Sequence, residues 1–185
     1  MNAIKIALSL ALSGLVLAPL SAGAAKHEVD PAHTYVLFKV NHLGIGNSWG
    51  MFRKTTGTFD PDKGTLDITI DANSIYTADK KRDDHLKGPD FFDTKQFPKI
   101  TFESTKVETK GDEYMVTGDL TLKGKTKPVT LTVAKTGEGK DPWGNFRTGF
   151  ETSVTINRMD FGVDYMPDGL SKDVELMISV EGIRK

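Results

Sequence analysis

The chain has 185 residues, 24 Lys and Arg against 25 Asp and Glu, and a formal net charge of −1. That length supports one domain with a real core, and evenly interspersed signs leave no electrostatic footprint for nucleic acid. Cysteine is absent, which excludes disulfides and thiolate chemistry, so stability must come from packing.

Residues 1–25 read as a targeting segment. Met1–Lys5 carries one positive charge, Ile6–Leu20 is almost wholly apolar, and Ser21–Ala25 is small. This is the pattern of a secretory signal peptide cleaved after Ala25, and it predicts a mature domain over 26–185 in the periplasm. No later stretch is long and apolar enough to span a bilayer. No cysteine stands at the cleavage site to carry a lipoprotein anchor.

From Lys26 onward the hydrophobic period is close to two. Thr34–Val40 sets Val36, Phe38 and Val40 on one face and Tyr35, Leu37 and Lys39 on the other. Apolar character on both faces suits a strand covered on one side and lining a cavity on the other. The row with Phe38 is the one predicted to face in, because the charge of Lys39 would be costly in a dry lumen. An error of one residue in phase would exchange every such assignment. His42–Gly50 is glycine-rich and ends this strand. Met51–Phe59 is the next, closed by the turn Asp60–Gly64, and Thr65–Asp71 then alternates Leu66, Ile68 and Ile70 with polar residues.

Asp79–Ser104 interrupts the pattern. It reads as a short helix over Asp79–Lys87, a break at Gly88-Pro89, and a compact loop with Phe91, Phe92 and Phe97. Pro98 closes the loop and suits the start of a strand, because it cannot donate a ladder hydrogen bond. A connection this long and this rich in core-type residues predicts a plug over one end of the body.

Strands resume at Ile100–Ser104, Tyr114–Leu122, Thr126–Ala134, Phe146–Ile156 and Asp173–Ile183. Between the last pairs lie the loop Gly137–Asn145, holding Trp143, and the irregular Met159–Leu170. The fold expected is all-β: an eight-stranded antiparallel barrel with one short helix and an aromatic loop near one end. Such a barrel has room for side chains or for one small ligand.

The residues carry little recognisable chemistry. The four histidines, His27, His33, His42 and His85, have no metal-ligand spacing. There is no nucleophile elbow, phosphate loop or dinucleotide fingerprint. Arg82-Asp83-Asp84-His85 is the densest ionisable cluster. It could supply an acid/base pair with an anion clamp, or Arg82 and Asp83 could anchor the helix to the barrel rim. The anchoring reading is favoured, since ion-pair networks form without doing chemistry. Trp143, in a Pro-Trp-Gly turn, suits a surface clamp as well as a cavity mouth.

Several motifs together resemble the YceI-like family. They are Asn73–Thr77, Arg82–Leu86, Asp90–Asp93, Phe97-Pro98, Thr101–Ser104, Gly118–Leu131 and Asn157–Gly162, with the opening His33–Leu43. The resemblance spans residues 26–185. It implies a lipocalin-like barrel exported to the periplasm that binds a polyisoprenoid or similar amphiphilic lipid. The ligand-binding residues expected are Val36, Phe38, Val40, His42, Arg82, His85, Leu86, Phe91, Phe92, Phe97, Phe102 and Trp143. No cofactor is expected beyond a bound isoprenoid lipid or isoprenoid quinone, and no catalytic or metal site. Carriage, transport or storage of that lipid is the leading function, and a homodimer is left open. The alternative is an enzyme acting on an isoprenoid lipid, with His85 as base and Arg82 as anion clamp. A structural or stress-related protein with incidental lipid is a third reading.

Overall fold

The computed structural model describes residues 26–185; the expected signal segment, residues 1–25, lies outside the described residues. Alternating sequence builds eleven strand segments: β1 (His27–Val29), β2 (Tyr35–His42), β3 (Gly46–Phe52), β4 (Thr55–Asp60), β5 (Thr65–Asp71), β6 (Ile75–Tyr76), β7 (Lys99–Lys110), β8 (Glu113–Leu122), β9 (Lys125–Lys140), β10 (Phe146–Asn157) and β11 (Leu170–Arg184). One α-helix, α1 (Lys80–Leu86), stands between β6 and β7.

Eight of these segments form a closed antiparallel ring in the order β1-β4-β5-β7-β8-β9-β10-β11, sealed by β1 against β11. The other three extend the first ring positions. β11 pairs with β1 through Gly182–Arg184 and with β2 along Leu170–Ser179, so β1 and β2 act as one bent strand. β3 continues into β4 past Arg53 and Lys54, and β5 continues into β6 past a 3-10 turn at Ala72–Ser74. Asp30 and Asp71 cap the turns at two of the bends, accepting from Ala32 N and Asn73 N. Neighbouring bends are stitched by Arg53 N to Ser74 O at 3.2 Å and Asp71 N to Lys54 O at 3.0 Å.

Two expectations about the strands change. Met51–Phe59 is not one run: it breaks at Arg53-Lys54, and its partners switch from β2 and β6 to β1 and β5. The glycine-rich stretch after His42 is not all loop, because Gly46–Phe52 pairs with β2 along its length. Gly50 is the reason this strand is hard to read. The Phe38 ring of β2 and the Thr77 side chain crowd the place where its β-carbon would stand, so packing selects a residue of poor strand propensity.

α1 starts because the Asp79 carboxylate accepts from Arg82 N at 2.8 Å. It ends at Gly88-Pro89, after which Phe92 N and Thr94 N return to the carbonyls of Leu86 and Lys87. This winding turns Phe91 and Phe92 toward the barrel. A buried cluster of Val36, Phe52, Ile75, Phe91, Ile100 and Phe161 then fills the end that α1 covers. That is the plug expected from the aromatic loop.

Candidate functional site: the barrel lumen and its plug

Strand registers place one apolar side chain after another around the inner wall. Phe38 stands opposite Leu176, which stands opposite Val154; Val40, Val174 and Ile156 form the next tier. On the far wall Phe102 lies between Ile68 and Leu120. Together with residues of β4, β8 and β9 they enclose a cavity of about 270 Å³ whose lining is almost wholly apolar. Its polar members are few: Thr55, Asp60, Thr65, Glu151, Thr152 and Arg158.

The plug closes one end with Leu86, Phe91 and Phe92, all of which line the cavity. Phe92 meets Phe52 edge to face at 5.5 Å, and Phe52 touches Phe38 at 5.9 Å. A second tie is polar. The Lys123 ammonium donates to Pro89 O at 3.0 Å and Gly162 O at 2.9 Å, joining the plug loop, the β8–β9 turn and the loop before β11. Phe97 packs over Gly124 in that same turn.

Arg158 holds the remaining segment. It is 5 % exposed and donates to five main-chain carbonyls, those of Val163, Tyr165, Met166, Leu170 and Ser171. Burial lowers its pKa, offset in part by the charge of Asp164. With its donors spent on carbonyls, the guanidinium acts as a frame for the loop. The end opposite the plug is narrowed by rings: His27 stacks on Phe59 at 4.8 Å, Phe59 meets Phe150 at 5.4 Å, and Phe150 meets Tyr114 at 5.8 Å.

Outside that end, Arg147 gathers three carboxylates: Asp30 at 2.6 Å, Asp141 at 2.8 Å and Glu181 at 3.1 Å. Hydrogen bonding from Arg147 and then His33 pulls the Asp30 carboxyl down to about 2. Arg147 is likewise the main cause that lowers Asp141 to about 2. Asp30, His33 and Glu181 are the described residues that come nearest to a metal-ligand set. The Arg147 cation bonds two of them, so the arrangement is an ion-pair network tying β1, the β9–β10 turn and β11.

Of the twelve residues predicted to meet ligand, seven line the cavity: Val36, Phe38, Val40, Leu86, Phe91, Phe92 and Phe102. The phase chosen for β2 holds, with Phe38 inward and Lys39 outside, paired with Glu175. Five residues lie elsewhere. His42 is exposed at the rim, opposite Gly46. Arg82 turns back to Thr77, donating from Nε to Oγ1 at 2.8 Å and from Nη2 to the carbonyl at 2.6 Å. His85 sits on the outer surface, bonded to Asp90 at 2.9 Å and packed edge-on against Phe91 and Tyr165. Phe97 is taken by Gly124, and Trp143 is 80 % exposed on a turn held by the Asp141 carboxylate. The pair required by the catalytic alternative is therefore outside the lumen.

The helix anchor is present, but its buried member is Asp83. Its Oδ1 accepts from Thr77 N at 2.7 Å and Thr77 Oγ1 at 2.6 Å, while Arg82 is exposed. Arg158, Lys123 and Tyr165 went unpredicted. Arg158 had one local signal, a lone arginine at the end of a long alternating strand. Lys123 had none, since a lysine in a Lys-Gly-Lys turn is ordinary.

The sequence profile of the YceI-like domain matches residues 27–182. The chain belongs to the YceI-like family. A "UPF0312 protein" of Yersinia pestis (strain Pestoides F) is 40% identical to this YceI-like chain over 187 aligned positions, covering 97% of each. Among solved structures, Burkholderia cenocepacia BcnA shares 29% identity with a TM-score of 0.74, over 83% of this chain and 98% of that one. A polyisoprenoid binding domain from Saccharophagus degradans, implicated in plant cell wall breakdown, is only 15% identical. Its TM-score of 0.68, over 86% of this chain and 98% of its own, shows the shared YceI-like barrel.

Proposed function

We propose that the barrel binds a long-chain isoprenoid or a similar amphiphilic lipid in its lumen, and that it carries or stores that lipid in the periplasm. The observation that carries this reading is the lining: tier upon tier of Val, Leu, Ile and Phe with almost no group to pair with a polar ligand. Such a wall recognises a chain by area, at about 0.8 kcal/mol per buried methylene. A quinone tail fits the same chemistry. The family and the shared barrel of a polyisoprenoid binding domain support it. The periplasmic location rests on residues 1–25 as an export signal. No helix among the described residues is long and apolar enough to cross a membrane. Native mass spectrometry of protein purified without detergent, followed by solvent extraction, tests the reading. Stoichiometric release of a long-chain isoprenoid supports it; a polar small molecule or no lipid at all refutes it.

A further inference from the structure

We propose that the plug end of the barrel docks on a lipid bilayer, inserting the β2–β3 turn together with the loop that precedes β11. This rests on the lipid-binding reading above and names where the lipid would be exchanged. Ile45 is 87 % exposed, Leu43 51 %, Tyr165 42 % and Met166 38 %. Four large apolar side chains on two turns at one end are unusual for a face bathed only in water.

The two turns are one unit, because Leu43 N donates to Gly169 O at 2.8 Å. Leu43 (φ 56°) and Met166 (φ 54°) both occupy the left-handed region that glycine adopts at little cost. Apolar residues at such positions are kept there against a local preference, Leu43 exposed and Met166 folded over Gly169 with its flank in solvent. The patch is also continuous with the lumen. Tyr165 packs on Phe91 of the plug at 5.2 Å, and its own loop lines the cavity at Val163 and Leu170.

The flanking wall selects a bilayer as the occupant. Down the adjoining wall Lys39 lies over Trp49 at 5.6 Å and Arg53 over Tyr76 at 4.9 Å. Amphipathic rings with cations beside them are the composition found at headgroup level. Glu175, ion-paired with Lys39, and Asp164 and Asp168 in the loop itself offset those cations, so attachment is by apolar insertion more than by charge.

The chain's two tryptophans provide the test, since Trp49 stands on β3 four residues from Ile45 and Trp143 sits at the opposite end. Vesicles of equal parts phosphatidylcholine and phosphatidylglycerol, free of isoprenoid, are added to Trp143→Phe and to Trp49→Phe. Blue-shifted emission from Trp49 with no change from Trp143 is expected. A Leu43→Ser/Ile45→Ser variant should bind the vesicles about tenfold more weakly while still taking up an isoprenoid lipid delivered in detergent. That last readout separates failed docking from failed lipid binding. A shift from Trp143 instead of Trp49, co-sedimentation unchanged in the double variant, or a wild-type chain that ignores vesicles would overturn the proposal. So would gel filtration showing that the double variant merely dissociates a dimer.

Discussion

The Phe97 ring occupies the space in which a β-carbon on Gly124 would have to stand, with Cε1 only 2.5 Å from that point. Gly124 also sits at φ 72° in the β8–β9 turn. The plug is thus pinned at a place where only glycine meets both demands. Gly124→Ala should cost about 2–4 kcal/mol, from left-handed backbone strain and from overpacking. In a Phe97→Ala background the same change should cost only the backbone share, about 1–2 kcal/mol. Urea denaturation of the four chains of this double-mutant cycle measures the difference; simple additivity would show that the two residues do not share the space.

Phe38 and Lys39 are neighbours in sequence on opposite sides of one wall. Phe38→Asp should abolish uptake of a long-chain isoprenoid in protein that keeps its folded circular dichroism spectrum, because an unpaired carboxylate in an apolar lumen is strongly disfavoured. Lys39→Asp should leave uptake nearly unchanged. Equal loss in both would mean that binding does not depend on the inner wall.

The five carbonyls around Arg158 need a planar donor with several N–H groups. Lysine keeps the charge but offers one ammonium. Arg158→Lys should therefore lose on the order of 3 kcal/mol in chemical denaturation. Faster proteolysis should appear first within 162–170. A variant as stable as the wild type would show that water replaces the guanidinium without penalty.

For the helix anchor, Asp83→Ala should destabilise by on the order of 2 kcal/mol, since it strands the buried amide and hydroxyl of Thr77. Arg82→Ala should cost less, because Arg82 is exposed. Melting curves showing the reverse order would return the anchoring role to Arg82.

Acid titration reports on Arg147. It draws Asp30 and Asp141 from 3.8 to about 2. Depressed carboxyl pKa values stabilise the fold above the ordinary value, and the contribution fades as pH falls through the lowered one. The wild-type melting temperature should drop between about pH 4 and about pH 2 on this account. Arg147→Gln should melt below wild type at neutral pH, and the gap should narrow as both carboxyls protonate. A gap that stays constant with pH would remove Arg147 from the titration.

Much of this molecule could be read from residue pattern alone. Period-two alternation located the ring strands after the plug, and the cost of burying the Lys39 charge set the phase of β2. The helix and the aromatic plug showed themselves through Asp79, Gly88-Pro89 and the phenylalanines. What escaped was tertiary in origin. The bend at Arg53-Lys54 depends on which strand lies alongside, and Gly50 hides a strand because a distant ring needs its space. His85 and Trp143 looked like site residues by chemistry. Their side chains went to Asp90 and to solvent because the plug and the β9–β10 turn face outward there.

The seam between β1 and β11 joins His27 to Arg184, and Lys185 N reaches Lys26 O at 2.9 Å. The contact that shuts the cylinder therefore lies at the greatest sequence separation among the described residues. Loop-closure entropy makes such pairings late and slow. Until β11 is in place, β10 and β2 each lack the neighbour on one edge, and the apolar wall stays open. Before β11 pairs with β1 the barrel cannot close, and an unclosed chain is the form that the export proposed above would use.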